Sequence, residues 1–272
     1  MKALVCAPIC PLMLHPSRQC ALADEVLCGD WVEVLEQTRT GWYLVRTSYR
    51  YTGYAPAEGL LFGEGNAERW AGLPKLVVTR SFADVLAAPA VQGFCLETLP
   101  RGALVSPVGG PDRNGWQKLS LCDGREGYAK AGLLDACRAR TDLGDEAALR
   151  RAVVCSAMSY LGTQYRWGGK SPLGIDCSGL TAMAYLLNGV VIYRDAAIRE
   201  GFPVREIPRQ DMKPADLIFF PGHVAMYLGE GRYLHSTAQT GSDGVVINSL
   251  DPADPGYRAD LPGQITAVGS IF

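Results

Sequence analysis

The chain has 272 residues, enough for two or three domains that each bury a core of their own. Its 26 basic and 28 acidic residues nearly cancel, so no positive field draws it onto nucleic acid or an anionic membrane, and neither partner is expected. Nine cysteines at irregular spacing, with no C-x-x-C pair, point away from a disulfide framework or structural zinc site and fit free thiols in a reducing compartment.

The first fourteen residues are apolar, but Pro8 and Pro11 interrupt the run, only Lys2 precedes it, and the small-residue cleavage pattern is poor. The segment therefore predicts the first strand of a domain, and a cytoplasmic location in a bacterial cell, rather than a leader. No stretch elsewhere approaches a membrane-spanning length.

An internal repeat organises the first half. Gly41-Trp42 recurs at Gly115-Trp116, Gly53-Tyr54-Ala55 at Gly127-Tyr128-Ala129, and Leu60-Leu61 at Leu133-Leu134, an offset of 73 or 74 residues. Near-constant spacing across a whole unit means two copies of one domain. Each copy is a series of short β-type runs, such as Trp31 to Leu35 and Trp42 to Arg46, separated by Gly, Pro and Asp turns. This pattern predicts two small all-β barrels, over residues 1–66 and 75–137. The Gly-Trp strand, polar turn, Gly-aromatic pair and final Leu-Leu resemble the bacterial SH3 domains found beside cell-wall enzymes.

Residues 138–144 read as a linker. A third domain, residues 145–272, follows with a different character. Ala148, Leu149, Ala152, Val153, Ser156, Ala157, Tyr160 and Leu161 recur at helical spacing, with Asp145 as N-cap and Gly162 as stop. A second helix is predicted from Cys177 to the Asn188-Gly189 terminus. Strands are expected at Asp216 to Phe220, His223 to Leu228, Arg232 to Ser236 and Gly244 to Asn248. Helices followed by an antiparallel sheet give an α+β domain.

Cys177 follows a Gly/Pro-rich loop and opens an apolar helix, where unpaired N–H groups and the helix dipole favour a thiolate. The backbone N–H groups around Cys177 and Ser178 are candidates for an oxyanion hole. Two of the three histidines, His223 and His235, flank a predicted hairpin. With a three-residue loop Gly229-Glu230-Gly231, Leu228 faces Arg232 and Ala225 faces His235, which makes His223 and His235 diagonal neighbours on one face. A two-residue loop would put them on opposite faces. A single strand histidine is more often structural; two on one face, in a chain nearly devoid of histidine, point to a Cys177–His223 pair oriented by His235. A metal site formed by the same three side chains is the alternative, but it lacks a fourth ligand. No cofactor is indicated.

The run Tyr165-x-Trp167-Gly168-Gly169, then Asp176-Cys177-Ser178-Gly179, Asp216 to Phe220, His223 to Gly229 and a later His235 closely resembles the NlpC family of papain-like cell-wall cysteine peptidases. The resemblance spans roughly residues 145 to 272, and implies Cys177 as nucleophile, His223 as its base and His235 as the third polar residue. With two SH3-like barrels in front, the chain resembles the subgroup that cuts murein peptides between γ-D-glutamate and a diamino acid and requires a free N-terminal L-alanine. That resemblance implies substrate contacts from Tyr51, Tyr165, Trp167, Asp176, Ser178 and Asp195. An anion and hydroxyl groups such as Asp195 and a tyrosine suit a buried ammonium. The chain departs from the pattern at Ala196, where a serine is usual, and at Ala215, where a glycine precedes the aspartate. A secreted hydrolase of intact wall and a non-catalytic wall-binding protein are the competing expectations.

Overall fold

A computed structural model describes residues 1–138 and 145–272; all but Arg138 of the predicted linker lies outside the described residues. The chain divides into two compact units, Met1–Cys137 and Arg138–Phe272.

The N-terminal unit contains the repeat. Its first half folds as β1 (Lys2–Val5), β2 (Ile9–Met13), β3 (Leu22–Leu27), β4 (Trp31–Gln37), β5 (Trp42–Thr47), β6 (Thr52–Pro56) and β7 (Leu60–Leu61), in the sheet order β3-β2-β6-β5-β4-β1-β7. After a short helix α1 (Asn66–Ala71), the second half gives β8 (Leu76–Val78), β9 (Phe82–Leu86), β10 (Cys95–Pro100), β11 (Leu104–Pro107), β12 (Trp116–Ser120), β13 (Glu126–Lys130) and β14 (Leu134–Ala136). Its order, β10-β9-β13-β12-β11-β8-β14, repeats the first element for element. Both halves place a single 3-10 turn before the last strand, at Ala57–Gly59 and Ala131–Leu133. The matching Gly-Trp, Gly-Tyr and Leu-Leu signals thus mark equivalent strands.

The two barrel segments are not independent. Leu4 and Cys28 of the first and Val78, Val85, Leu99 and Leu119 of the second share one apolar core with Trp70 of α1. The Trp70 indole donates to Gly29 O at 2.7 Å, and Leu104 N donates to Cys28 O at 2.8 Å. Gly29 lies at φ 85°, and a Cβ there would sit 2.3 Å from Leu104 O, so only glycine permits this approach.

The C-terminal unit opens with α2 (Glu146–Met158), whose N-cap Asp145 accepts from Ala147 N. A two-stranded piece, β15 (Lys170–Ser171) with β16 (Gly174–Ile175), leads into α3 (Cys177–Leu186). The six-stranded antiparallel sheet consists of β17 (Arg205–Glu206), β18 (Leu217–Phe220), β19 (His223–Gly229), β20 (Arg232–Thr237), β21 (Gly244–Ser249) and β22 (Ala267–Ser270), in the order β17-β22-β18-β19-β20-β21. The short β17 and β22 are additions to the predicted strands. All four residues of β18 are buried, as suits a central strand. Below it, Arg150 Nη1 and Ser270 Oγ both donate to Asp216 Oδ1, at 2.8 and 2.6 Å.

The β19–β20 hairpin departs from the three-residue loop that the sequence predicts. The hairpin loop has two residues, Glu230 and Gly231, not three, because Gly229 pairs with Arg232. Both loop residues have positive φ, 51° and 76°, as a type I′ turn requires. The face assignment nevertheless stands, because a bulge between Tyr227 and Gly229 takes up the odd residue and restores Met226 opposite Leu234.

Candidate active site

Loop 165–176 and the start of α3 are locked together by one carboxylate. Asp176, the N-cap of α3, accepts from Gly179 N at 2.6 Å and Ser178 Oγ at 3.2 Å through Oδ1, and from Gly168 N at 2.9 Å through Oδ2. The Arg194 guanidinium grips both oxygens, at 3.0 and 3.1 Å, and also donates to Ser178 Oγ at 2.8 Å. A Cβ at position 179 would lie 2.3 Å from Gly169 O, which explains the glycine two residues after Cys177. Asp176 and Ser178 are both buried, and their oxygens are taken up by these internal bonds. What they visibly do is fix the pose of Cys177.

Cys177 is the first residue of α3 and is buried. Burial pushes its thiol up to about 11, and the neighbouring Asp176 carboxylate adds to this. The backbone N–H groups of Val224 and Ser178 and the Arg194 charge act in the opposite direction. The expected thiolate is therefore not the resting form: desolvation outweighs the helix terminus. Val224 adjoins His223, so the same contact that reaches the sulfur brings the start of β19 beside it.

On that sheet, His223 Nε2 lies 2.8 Å from His235 Nδ1, and His235 Nε2 lies 2.8 Å from Asn248 Oδ1. Asn248 Nδ2 donates to Gly256 O at 2.9 Å, which turns its oxygen toward the imidazole. The direction of the relay follows. His235 carries its proton on Nε2 and accepts at Nδ1; His223 donates from Nε2, which leaves its Nδ1 as the bare, basic nitrogen. Burial pushes His223 down to about 3, helped by His235 and Arg258, and pushes His235 down to about 4 despite the Asn248 bond. Thiol and imidazole are thus both neutral at rest, and a proton passed from Cys177 to His223 changes both charges at once. Because His223 Nε2 and His235 Nδ1 are committed to each other, two of the nitrogens that a metal would need are already used. Among the described residues, no group of three or more His, Cys, Asp or Glu side chains is disposed to hold a metal.

The remaining predicted residues fall into three groups. Tyr165 is half-buried, and its hydroxyl is pushed up to about 12 by burial and by the nearby Cys177 and Asp176. Trp167, in the same loop, is 67 % exposed. Asp195 is exposed and accepts from the Tyr193 hydroxyl, whose ring packs against Phe202 at 5.3 Å between centroids. Tyr51 belongs to the N-terminal unit, directly before β6, with its N–H on Thr47 Oγ1 at 2.9 Å. Arg194 and Asn248 were not anticipated. Asn248 was within reach of the pairing argument, since His235 faces Val246 and position 248 lies two along on the same face. Arg194 has no such signal.

The NlpC/P60 family pattern matches residues 162–256, and that of the bacterial dipeptidyl-peptidase Sh3 domain matches residues 12–60. The chain is 44 % identical to Dipeptidyl-peptidase 6 of Lysinibacillus sphaericus over the full length of both. It is 28 % identical to the Gamma-D-glutamyl-L-lysine dipeptidyl-peptidase of Bacillus cereus, over 86 % of this chain and 69 % of that one. In fold it is similar to the crystal structure of an NlpC/P60 family protein from Bacillus cereus, with a TM-score of 0.79 and 20 % identity over 98 % of each chain. With Cys177 at the head of α3, the Asn248-His235-His223 relay beside it and a full-length relative of this kind, the chain belongs to the NlpC/P60 family.

Proposed function

We propose that this chain is a cysteine peptidase that hydrolyses the γ-D-glutamyl–diamino acid bond of murein peptides bearing a free N-terminal L-alanine. The observation that carries the proposal is the hydrogen-bonded relay from Asn248 through His235 to His223, at the end of the strand whose Val224 N–H reaches the Cys177 sulfur. Similarity to relatives called dipeptidyl-peptidases supports the choice of bond.

The chemistry runs in two halves. As Cys177 Sγ attacks the γ-carbonyl carbon, His223 Nδ1 takes the thiol proton. The same proton is then delivered to the amine nitrogen as the C–N bond breaks, leaving a thioester of L-Ala-γ-D-Glu on Cys177. Water, deprotonated by His223, attacks that thioester; the C–S bond breaks, and the sulfur recovers its proton from the imidazolium. The N–H groups at the start of α3 serve the tetrahedral oxyanion.

Selectivity for a free amine is assigned to Asp195 as counter-charge, with Tyr165 and Trp167 completing the substrate surface and Asp176 and Ser178 acting through the pose of Cys177. The proposed setting is cytoplasmic recycling of wall peptides, which suits nine free thiols. The test compares L-Ala-γ-D-Glu-diamino acid tripeptide with its N-acetylated form under reducing conditions. Release of L-Ala-γ-D-Glu from the free peptide alone is expected. Equal cleavage of both forms would move the reading to a hydrolase of intact wall, and cleavage of neither would overturn it.

A further inference from the structure

The nucleophile and its base stand on different parts of the catalytic unit. Cys177 heads α3 behind loop 165–176, whereas His223 and His235 stand on β19 and β20. Their separation is set by whatever ties that loop to that sheet. One tie runs through β21 and the residue before it: Gln164 bridges to Gly244, and Tyr165 N donates to Asp243 O at 3.2 Å. Another comes from the histidine-bearing strand itself, through Ser236.

Ser236 follows His235 directly. Successive side chains of a strand point to opposite faces, so the imidazole turns toward His223 while the hydroxyl turns toward Ile175. Ser236 Oγ donates to Ile175 O at 2.6 Å, and both residues are 0 % exposed. Arg166 N reaches the same oxygen at a longer 3.3 Å, and Ile175 N donates to Gln164 O at 3.1 Å. Ile175 is thereby fixed one residue before the Asp176 cap and two before Cys177. Within β20, Ser236 pairs with Val245 through the backbone, so the sheet itself does not call on its side chain. The hydroxyl instead reaches across to the nucleophile loop.

We infer that Ser236 is a positioning residue: its hydroxyl clamps the nucleophile loop to the histidine strand and so sets the approach of Cys177 Sγ to His223. This role rests on the peptidase reading of that pair. From sulfur to imidazole the connection is short, through Asp176, Ile175, one hydrogen bond and Ser236. Without the hydroxyl, a buried carbonyl keeps only its longer bond, and the loop with its sulfur is free to shift. A shift of about 1 Å in a reacting group costs on the order of 100-fold in rate.

Ser270 supplies a matched comparison. It is also buried, and its hydroxyl donates at the same 2.6 Å, but to Asp216, which precedes β18 at the end away from the Phe220–His223 pairing. The experiment compares the full chain with its Ser236→Ala and Ser270→Ala variants. It reads kcat and KM on the L-Ala-γ-D-Glu-diamino acid tripeptide, the rate of Cys177 alkylation by iodoacetamide followed by peptide mass spectrometry, and the midpoint of urea unfolding. Ser236→Ala is expected to lower kcat by about 10- to 100-fold with KM changed less than about twofold, and to slow Cys177 alkylation by a comparable factor. Ser270→Ala should lower the urea midpoint and leave the other readouts in place. A Ser236→Ala chain that loses only its midpoint, or a fall in kcat that Ser270→Ala reproduces, would overturn the inference. Alkylation needs no substrate, so slowed alkylation in chains that do not cleave the tripeptide would support the clamp and overturn the substrate reading alone. Where the alanine variant does not fold, Ser236→Cys makes the same comparison, because its thiol nearly matches the hydroxyl in size but donates weakly; an unchanged kcat there would overturn the inference.

Discussion

His223 Nε2 and His235 Nδ1 lie 2.8 Å apart, and with Asn248 behind them they form a relay whose hydrogen bonds run in one direction. The asparagine amide holds the chosen tautomer because its own Nδ2 is anchored on Gly256 O. Asn248→Ala is therefore expected to lower kcat by about 10- to 100-fold with little change in KM. His235→Ala should cost more, about 100- to 10,000-fold, as befits loss of the group that orients the base. Steady-state kinetics on the tripeptide checks both; a selective rise in KM would contradict an orienting role.

The two depressed histidines set a pH signature for stability. Their folded pKa values, about 3 for His223 and about 4 for His235, lie below the ordinary 6.5. At pH values between these limits the unfolded chain binds more protons than the folded one. Their contribution is full above pH 6.5 and is lost as pH falls toward 4 and 3, at a slope of up to about 1.4 kcal/mol per pH unit for each histidine. Denaturant unfolding at pH 7 and pH 5 should show the loss, and a His223→Gln, His235→Gln chain should lose less. The acid limb of kcat/KM should likewise lie well below pH 6, because the base stays neutral there.

Arg194 and Asp176 form a buried, two-pronged ion pair at 3.0 and 3.1 Å. Removing one partner strands the other, so Arg194→Ala should cost about 3–5 kcal/mol. An Arg194→Met, Asp176→Asn chain should lose less than the two single changes added together, because it leaves no unpaired charge. Urea melts of the four chains measure this coupling, and simple additivity would contradict it.

Ala215 is buried at φ 78°, a conformation that costs a non-glycine residue about 1–2 kcal/mol, while its N–H and C=O are held by Tyr227 O and the Tyr185 hydroxyl. Glycine at this position removes the strain but adds unfolded-state entropy. Ala215→Gly should therefore stabilise the chain by about 0.5–1 kcal/mol in the same urea melts, with kcat/KM unchanged; lower stability would contradict the account.

Features that depend on spacing were legible in the sequence. The 73- to 74-residue offset anticipates two sheets of identical strand order, and the apolar periodicity with Asp145 anticipates α2. The pairing of His223 with His235 was also foreseen, although by a different route. A two-residue turn at Glu230-Gly231 and a compensating bulge replace the three-residue loop, and local composition does not distinguish a bulged short turn from a longer one. Charge burial was not legible. Arg194 reads as a surface residue until Asp176 is placed against it, and the state of Cys177 depends on how completely the fold removes it from water. The β22 strand, Ala267–Ser270, was missed because its residues carry almost no strand preference of their own; pairing with β18 creates it.

The claim that Cys177 forms a thioester under the control of His223 is tested most directly by intact-protein and peptide mass spectrometry of acid-quenched reactions with L-Ala-γ-D-Glu-diamino acid. A transient adduct of the L-Ala-γ-D-Glu acyl group on the peptide containing Cys177, absent in the Cys177→Ala chain together with all product release, is the predicted result. Product release that survives Cys177→Ala, or an adduct carried by another cysteine, would contradict the account.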